Sequence, residues 1–226
     1  MRKLYFRIRG RALAAEIPVS VLVREGWYRL PGLLRGAAMG LSYGNTGLGH
    51  IRGRSVVVSH PKWLSVGKYC VFGSNITIAC FGFSGVVLGD FVTIANGAHL
   101  GASGVIAEPG VGISVGARTS IGAYNVIWGQ GGVTIGEGCL LGPNVVIVSE
   151  DHEFADSSLE IRLQGHRRGA IIIGNDCWLG SGVVVTRGVT IGDGCVIGAN
   201  SVVTMDLPPY SVAVGAPARV VSVRGS

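Results

Sequence analysis

Charge is scarce in this sequence: only 14% of its 226 residues are Asp, Glu, Lys or Arg, and only 7% are aromatic. A chain so poor in charge is not a polyelectrolyte held open by self-repulsion. One so poor in rings does not build its core on aromatic stacking. The N-terminal apolar run Ile17–Val23 stops at Arg24, far short of the ~20 residues that a helical membrane span needs. Arg11, Glu16, Arg24 and Glu25 likewise interrupt the pattern of a secretory signal, so the chain is expected in the cytoplasm. Its five cysteines contain no Cys-x-x-Cys pair, which removes the usual zinc and dithiol motifs.

Glycine and aliphatic residues fill the space left. There are 38 glycines, and 48% of the residues are hydrophobic, enough for one domain with a continuous core. The glycines alternate with Val and Ile without a collagen period, which directs attention to internal repeats. From Ile173 an aliphatic residue recurs every six positions, at Leu179, Val185, Ile191, Ile197 and Val203, and Gly follows it at 174, 180, 192 and 198. The same register runs through Val66 and Phe72, then Leu88, Ile94, Leu100 and Ile106, then Val115, Ile121 and Ile127, then Ile135, Leu141 and Ile147.

A period of six fits neither a helix nor a single long strand. It suits one short strand plus one corner, with the aliphatic residue inward and a small residue at the bend. Three such units close a triangular turn, and turns stack at the ordinary strand spacing of about 4.8 Å. The expected fold is all-β, a parallel β-helix of six to seven turns. Cys70, Cys139, Cys177 and Cys195 each lie four residues after an inward aliphatic, a slot for small buried side chains, so they are expected to pack and not to react. Cys80 falls in a register slip and is left open.

The boundaries expected are an N-terminal extension over 1–60, a β-helix over 61–221 and a short tail over 222–226. Residues 1–35 hold eight basic and two acidic side chains, which is the whole net charge of +6. Such a segment suits an anionic membrane surface or a solvated cap. One large break interrupts the repeat between Ile147 and Ile173, so residues 150–170 should leave the coil as a loop, EDHEFADSSLEIRLQGHRRGA. Long loops on rigid solenoids often carry function.

The repeat, the Gly142-Pro143-Asn144-Val145 segment before His152, the Trp178-Leu179-Gly180-Ser181 element and the GAPAR ending together resemble the hexapeptide-repeat acyltransferases. The likeness is to the capsule, colanic-acid, maltose and galactoside O-acetyltransferase branch, over roughly residues 64–221. It implies a left-handed coil and acetyl-CoA as the acyl donor, with no metal. It implies a homotrimer acting on a small sugar or glycan in surface polysaccharide or lipopolysaccharide synthesis, with no nucleic-acid partner. His152 matches the catalytic histidine, and imidazole titrates in the range that a general base needs. Glu150 and Asp151 read as solvated loop acids, or as carboxylates that orient its ring as in a triad. His166, Arg167 and Arg168 read as a solvated basic turn or as contacts to acceptor or phosphate.

The resemblance assigns donor contacts to Trp178, Ser181, Ala199, Thr204 and Arg219, with the Ser181 backbone N–H facing the oxyanion. Met205 stands where the family often has a lysine, so Arg219 or Arg187 would have to meet the nucleotide phosphates. Asn125 and Gln130 are the candidate acceptor contacts. An amino-sugar N-acetyltransferase or a xenobiotic acetyltransferase would use the same base and donor site. A γ-type carbonic anhydrase needs a histidine pair five residues apart, and this sequence has none. A pure β-helix scaffold would have no need of the loop histidine and the donor elements together.

Overall fold

The computed structural model describes residues 17–42, 45–104 and 106–225. The six-residue period becomes short strands that fall into three parallel sheets, two of them with seven strands, so the chain winds through seven turns of a left-handed parallel β-helix. Strands in one sheet pair in register from turn to turn, as Ile113 does with Val133 and Val133 with Ile171. The aliphatics expected to point inward do so. Leu100, Ile127, Ile147, Val185 and Val203 stack down one sheet with essentially no exposure. Ile106 is the exception, 80% exposed: the chain leaves the coil after Gly101 and rejoins it at Ile113, which makes a second excursion that the spacing did not reveal.

Both expected boundaries move outward. Asn45–Thr46, Ile51–Arg52 and Val56–Ser59 already form a full turn, pairing with Ser65–Val66, Val71–Phe72 and Ile76–Ala79. The coil therefore starts ahead of residue 61. At the other end Arg219–Val223 folds back antiparallel on Ser211–Val214, with Ser222 and Val223 in the ladder, so the strand passes residue 221.

The helix Val19–Ser42 lies against the first turn. Its backbone comes close because the residues that meet the turn, Gly32 and Gly36, are glycines. A Cβ on Gly32 would sit 2.9 Å from Ile51 Cγ2, and one on Gly36 only 2.0 Å from the His50 carbonyl oxygen. Met39 is buried there, and Arg35 Nε donates to the Arg52 carbonyl at 2.9 Å. The cationic residues before Ile17 lie outside the described residues.

One corner of the triangle carries an interior column: His50, Cys70, Val92, Thr119, Cys139, Cys177, Cys195 and Ser211, all buried. The thiols donate to carbonyls of the next turn, Cys139 to Gly174 at 3.0 Å and Cys195 to Pro208 at 3.1 Å. Burial pushes the Cys70 thiol up to about 11 and the Cys80 thiol up to about 12. All five cysteines, Cys80 included, are packing groups.

Candidate functional site

The site is built on the sheet that holds Val126–Trp128, Val146–Val148, Val184–Val185 and Val202–Val203. At its trailing edge the chain is pinned before it leaves the coil. Ser149 is buried, its hydroxyl donates to the Trp128 carbonyl at 2.7 Å, and it accepts from Gly131 N at 2.9 Å. Glu150–His152 then pairs antiparallel with His166–Arg168, which puts Glu150 opposite Arg168, Asp151 opposite Arg167 and His152 opposite His166. Gly169 N closes the base of this hairpin on the Ser149 carbonyl at 3.0 Å. Ile171 returns to the coil beside Val133.

His152 is thus held on the first strand of a short hairpin and is exposed. Its ring lies 4.4 Å, centre to centre, from that of His166. Neither neighbouring carboxylate orients it, and neither is a free loop acid. Glu150 accepts from Trp128 Nε1 at 2.7 Å, and Asp151 pairs with Arg187 Nε at 2.6 Å. Both bonds tie the departing strand to the coil. Arg167 pairs with Glu153, and Arg168 Nη2 reaches Glu108 Oε2 at 3.2 Å. The presumed basic turn is therefore a return strand whose charges are partnered.

Trp128 is the residue that sequence reasoning missed here, and Arg187, expected as a candidate phosphate contact, is instead paired with Asp151. Trp128 points outward from the sheet, stacked on His99 with ring centres 5.6 Å apart. Burial holds the His99 imidazole below its ordinary value. A tryptophan beside an inward Ile127, one turn below a loop, was the available signal.

Of the expected donor residues, Ser181 and Ala199 lie at the corner that leads into this sheet, Trp178 and Arg219 on strands of the neighbouring nine-stranded sheet, and Thr204 just after Val203 in the last turn. Trp178 is 54% exposed, and Ser181, Ala199 and Thr204 are exposed. Backbone donors at this corner differ from turn to turn. Arg54 N is capped by Ser74 Oγ at 3.0 Å and Ser74 N by Asn96 Oδ1 at 2.8 Å. The N–H groups of Ser181 and Ala199 donate to no other described residue. A side chain at Gly142 would lie 2.7 Å from the Ser181 nitrogen, so the glycine below keeps that amide clear. Arg219 Nη1 lies 3.9 Å from Met205 Sδ, which brings a guanidinium to the position of the missing lysine.

Asn125 and Gln130 are not placed to touch an acceptor. Asn125 is wholly buried inside the coil and accepts from Val145 N at 2.7 Å; its Nδ2 has no partner among the described residues. Gln130 is buried as well. Its Oε1 accepts from Gly104 N at 3.0 Å and its Nε2 donates to the Glu108 carbonyl at 2.8 Å, which braces the second excursion. Among the described residues no three His, Cys, Asp or Glu side chains gather as metal ligands.

The chain is similar to known proteins. Residues 170–204 match the profile of the bacterial transferase hexapeptide (six repeats), and residues 64–102 and 112–149 match that of the hexapeptide repeat of succinyl-transferase. A probable acetyltransferase of Mycobacterium tuberculosis is 38% identical over 131 residues, 58% of this chain and 44% of that protein. The galactoside O-acetyltransferase of Escherichia coli is 43% identical over 121 residues, 50% of this chain and 58% of that protein. The chain therefore spans about half the length of the curated relatives it matches. Among solved structures, a variant of the N-acyltransferase AntD from Bacillus cereus, in complex with dTDP and coenzyme A, superposes with a TM-score of 0.54. It is 17% identical and the match covers 80% of this chain and 85% of that one, a likeness of fold.

Proposed function

Because this chain belongs to the hexapeptide-repeat transferases, we propose that it transfers an acetyl group from acetyl-CoA to a sugar hydroxyl, with His152 as general base. The observation that carries the reading is the layout of one sheet. An exposed imidazole stands on a braced hairpin at one edge, and uncommitted backbone donors stand at the other. His152 takes the hydroxyl proton as the acceptor oxygen attacks the thioester carbonyl. The Ser181 N–H meets the developing oxyanion, a donor that needs no reorganisation because the coil fixes it. When the C–S bond breaks, the proton held by His152 goes to the leaving thiolate. Arg219 holds the nucleotide end of the donor. The acceptor belongs to surface polysaccharide or lipopolysaccharide synthesis, and the reaction takes place in the cytoplasm. Acetyl-CoA turnover measured against a panel of sugars and nucleotide sugars tests the reading; no turnover with any of them would sink it.

In one chain His152 and Ser181 lie at opposite edges of the sheet, which supports a site shared between copies. We assign a homotrimer, with His152 of one chain facing the donor turns of the next. Light scattering at micromolar concentration is expected to give about three times the 23.4 kDa chain mass. An active, strictly monomeric protein would refute the shared site.

Donor binding makes a further prediction. A ligand that binds only the folded state stabilises it by RT ln(1 + [L]/Kd), so saturating acetyl-CoA raises the melting temperature. Arg219→Ala is expected to shrink this rise more than Met205→Ala, since only the first removes a cation. Equal losses in the two variants would contradict the placement of the phosphates.

A further inference from the structure

The helix Val19–Ser42 turns its apolar side away from the protein. Gly32, Gly36 and Met39 face the first turn and are buried. Val19, Val23, Trp27, Leu30 and Leu34 recur at spacings of three and four, which places them in one stripe. At 100° per residue Leu34 is about half a circumference from Gly32 and from Gly36, so the stripe points outward. Trp27 is 70% exposed and Leu34 is 68% exposed. Leu22, Val23, Gly26, Trp27 and Leu30 line a shallow groove of about 290 Å³ on this side. A soluble surface helix normally shows the reverse arrangement, with its apolar stripe inward.

Charge identifies what covers the stripe. Arg24 and Arg29 flank it, five more cations lie in residues 1–16, and residues 1–35 carry the whole net charge of +6. Apolar contact with a second copy would bring two such segments together against their own repulsion. An anionic surface would be attracted to them instead. No described helix is long and apolar enough to cross a membrane, whereas an outward apolar stripe with tryptophan, bordered by arginines, is the pattern of a helix that lies in a bilayer interface. We propose that this helix docks the protein on an anionic lipid bilayer surface. The helix sits at one end of the solenoid, so any assembly with parallel coil axes would present all its stripes to the same plane. This inference stands apart from the acetyl-transfer reading.

The test is flotation of the full-length chain with phosphatidylcholine vesicles, and with vesicles containing about one third phosphatidylglycerol. The chain is expected to float with the second kind only. Binding should fall in ~1 M NaCl, where the screening length is about 3 Å. Trp27→Asp with Leu34→Asp should lower partitioning at least about tenfold, with the melting curve and its response to acetyl-CoA unchanged. Arg24→Glu with Arg29→Glu should also lower it at least about tenfold, at positions where no apolar contact is altered. The proposal is overturned if wild type does not float with anionic vesicles, or if either double variant floats as well as wild type. It is equally overturned if Trp27→Asp with Leu34→Asp lowers the molecular mass in light scattering while wild type ignores vesicles, since the occupant is then another copy.

Discussion

Replacing His152 with alanine is expected to lower kcat by roughly 10²- to 10⁴-fold, the usual contribution of a positioned proton acceptor. Stability should change by less than about 0.5 kcal/mol, because the ring is exposed and the hairpin is secured elsewhere. The Asp151–Arg187 pair, the Glu150–Trp128 bond and the backbone closure at Gly169 all survive the substitution. Acetyl-CoA should bind as before, since the contacts proposed for it lie on other turns. His166→Ala is the internal comparison. Its ring packs on His152 but stands on the return strand, and most activity should remain. Steady-state acetyl transfer and a melting curve for each protein make the measurement. Near-normal kcat in His152→Ala, or activity lost in step with the fold, would remove His152 from the mechanism.

The largest loss of stability is expected from Ile127→Ala. Ile127 has no exposure and sits in a middle turn between Leu100 below and Ile147 above. Truncation removes its buried methyl and methylene groups and leaves a void that rigid turns on both sides cannot close. Such changes cost about 2–5 kcal/mol. In a solenoid each turn rests only on its neighbours, so the damage weakens two interfaces at once. Val57→Ala, on an outward and exposed side chain of the same sheet, should cost under about 0.5 kcal/mol. Denaturant midpoints at one fixed protein concentration decide the matter, because self-association shifts apparent stability. A loss below about 1 kcal/mol for Ile127→Ala would mean that the middle turns repack freely.

The inward positions were legible because a period of six has one physical use here, and every turn between Val66 and Val203 repeats it. The first turn was not. Thr46, Arg52 and Val58 stand where later turns have Val66, Phe72 and Ile78. No turn lies beneath them, so a cation can occupy the inward slot, and Arg52 Nη2 donates to the Val56 carbonyl at 2.6 Å. The hairpin exit could be read from the break in register. Its pairing could not, since the meeting of His152 with His166 depends on where an antiparallel turn reverses. Asn125 and Gln130 misled for a related reason. A polar residue at a corner looks the same in sequence whether it faces a ligand, bonds the next turn as Asn125 does, or braces a loop as Gln130 does.

The two ends of the coil are unlike, and neither resembles the middle. A stack of identical turns with open ends would be a template for fibre growth, each free edge recruiting the next molecule. Here the helix lies against the first turn. At the far end Val202 N donates to the Gly215 carbonyl and Ala218 N to the Val202 carbonyl, while Arg219–Val223 reverses direction on the neighbouring sheet. An incoming copy would need three parallel edges in phase and would meet a crossing segment and an antiparallel strand. Both ends of the coil are thereby built against end-on strand addition.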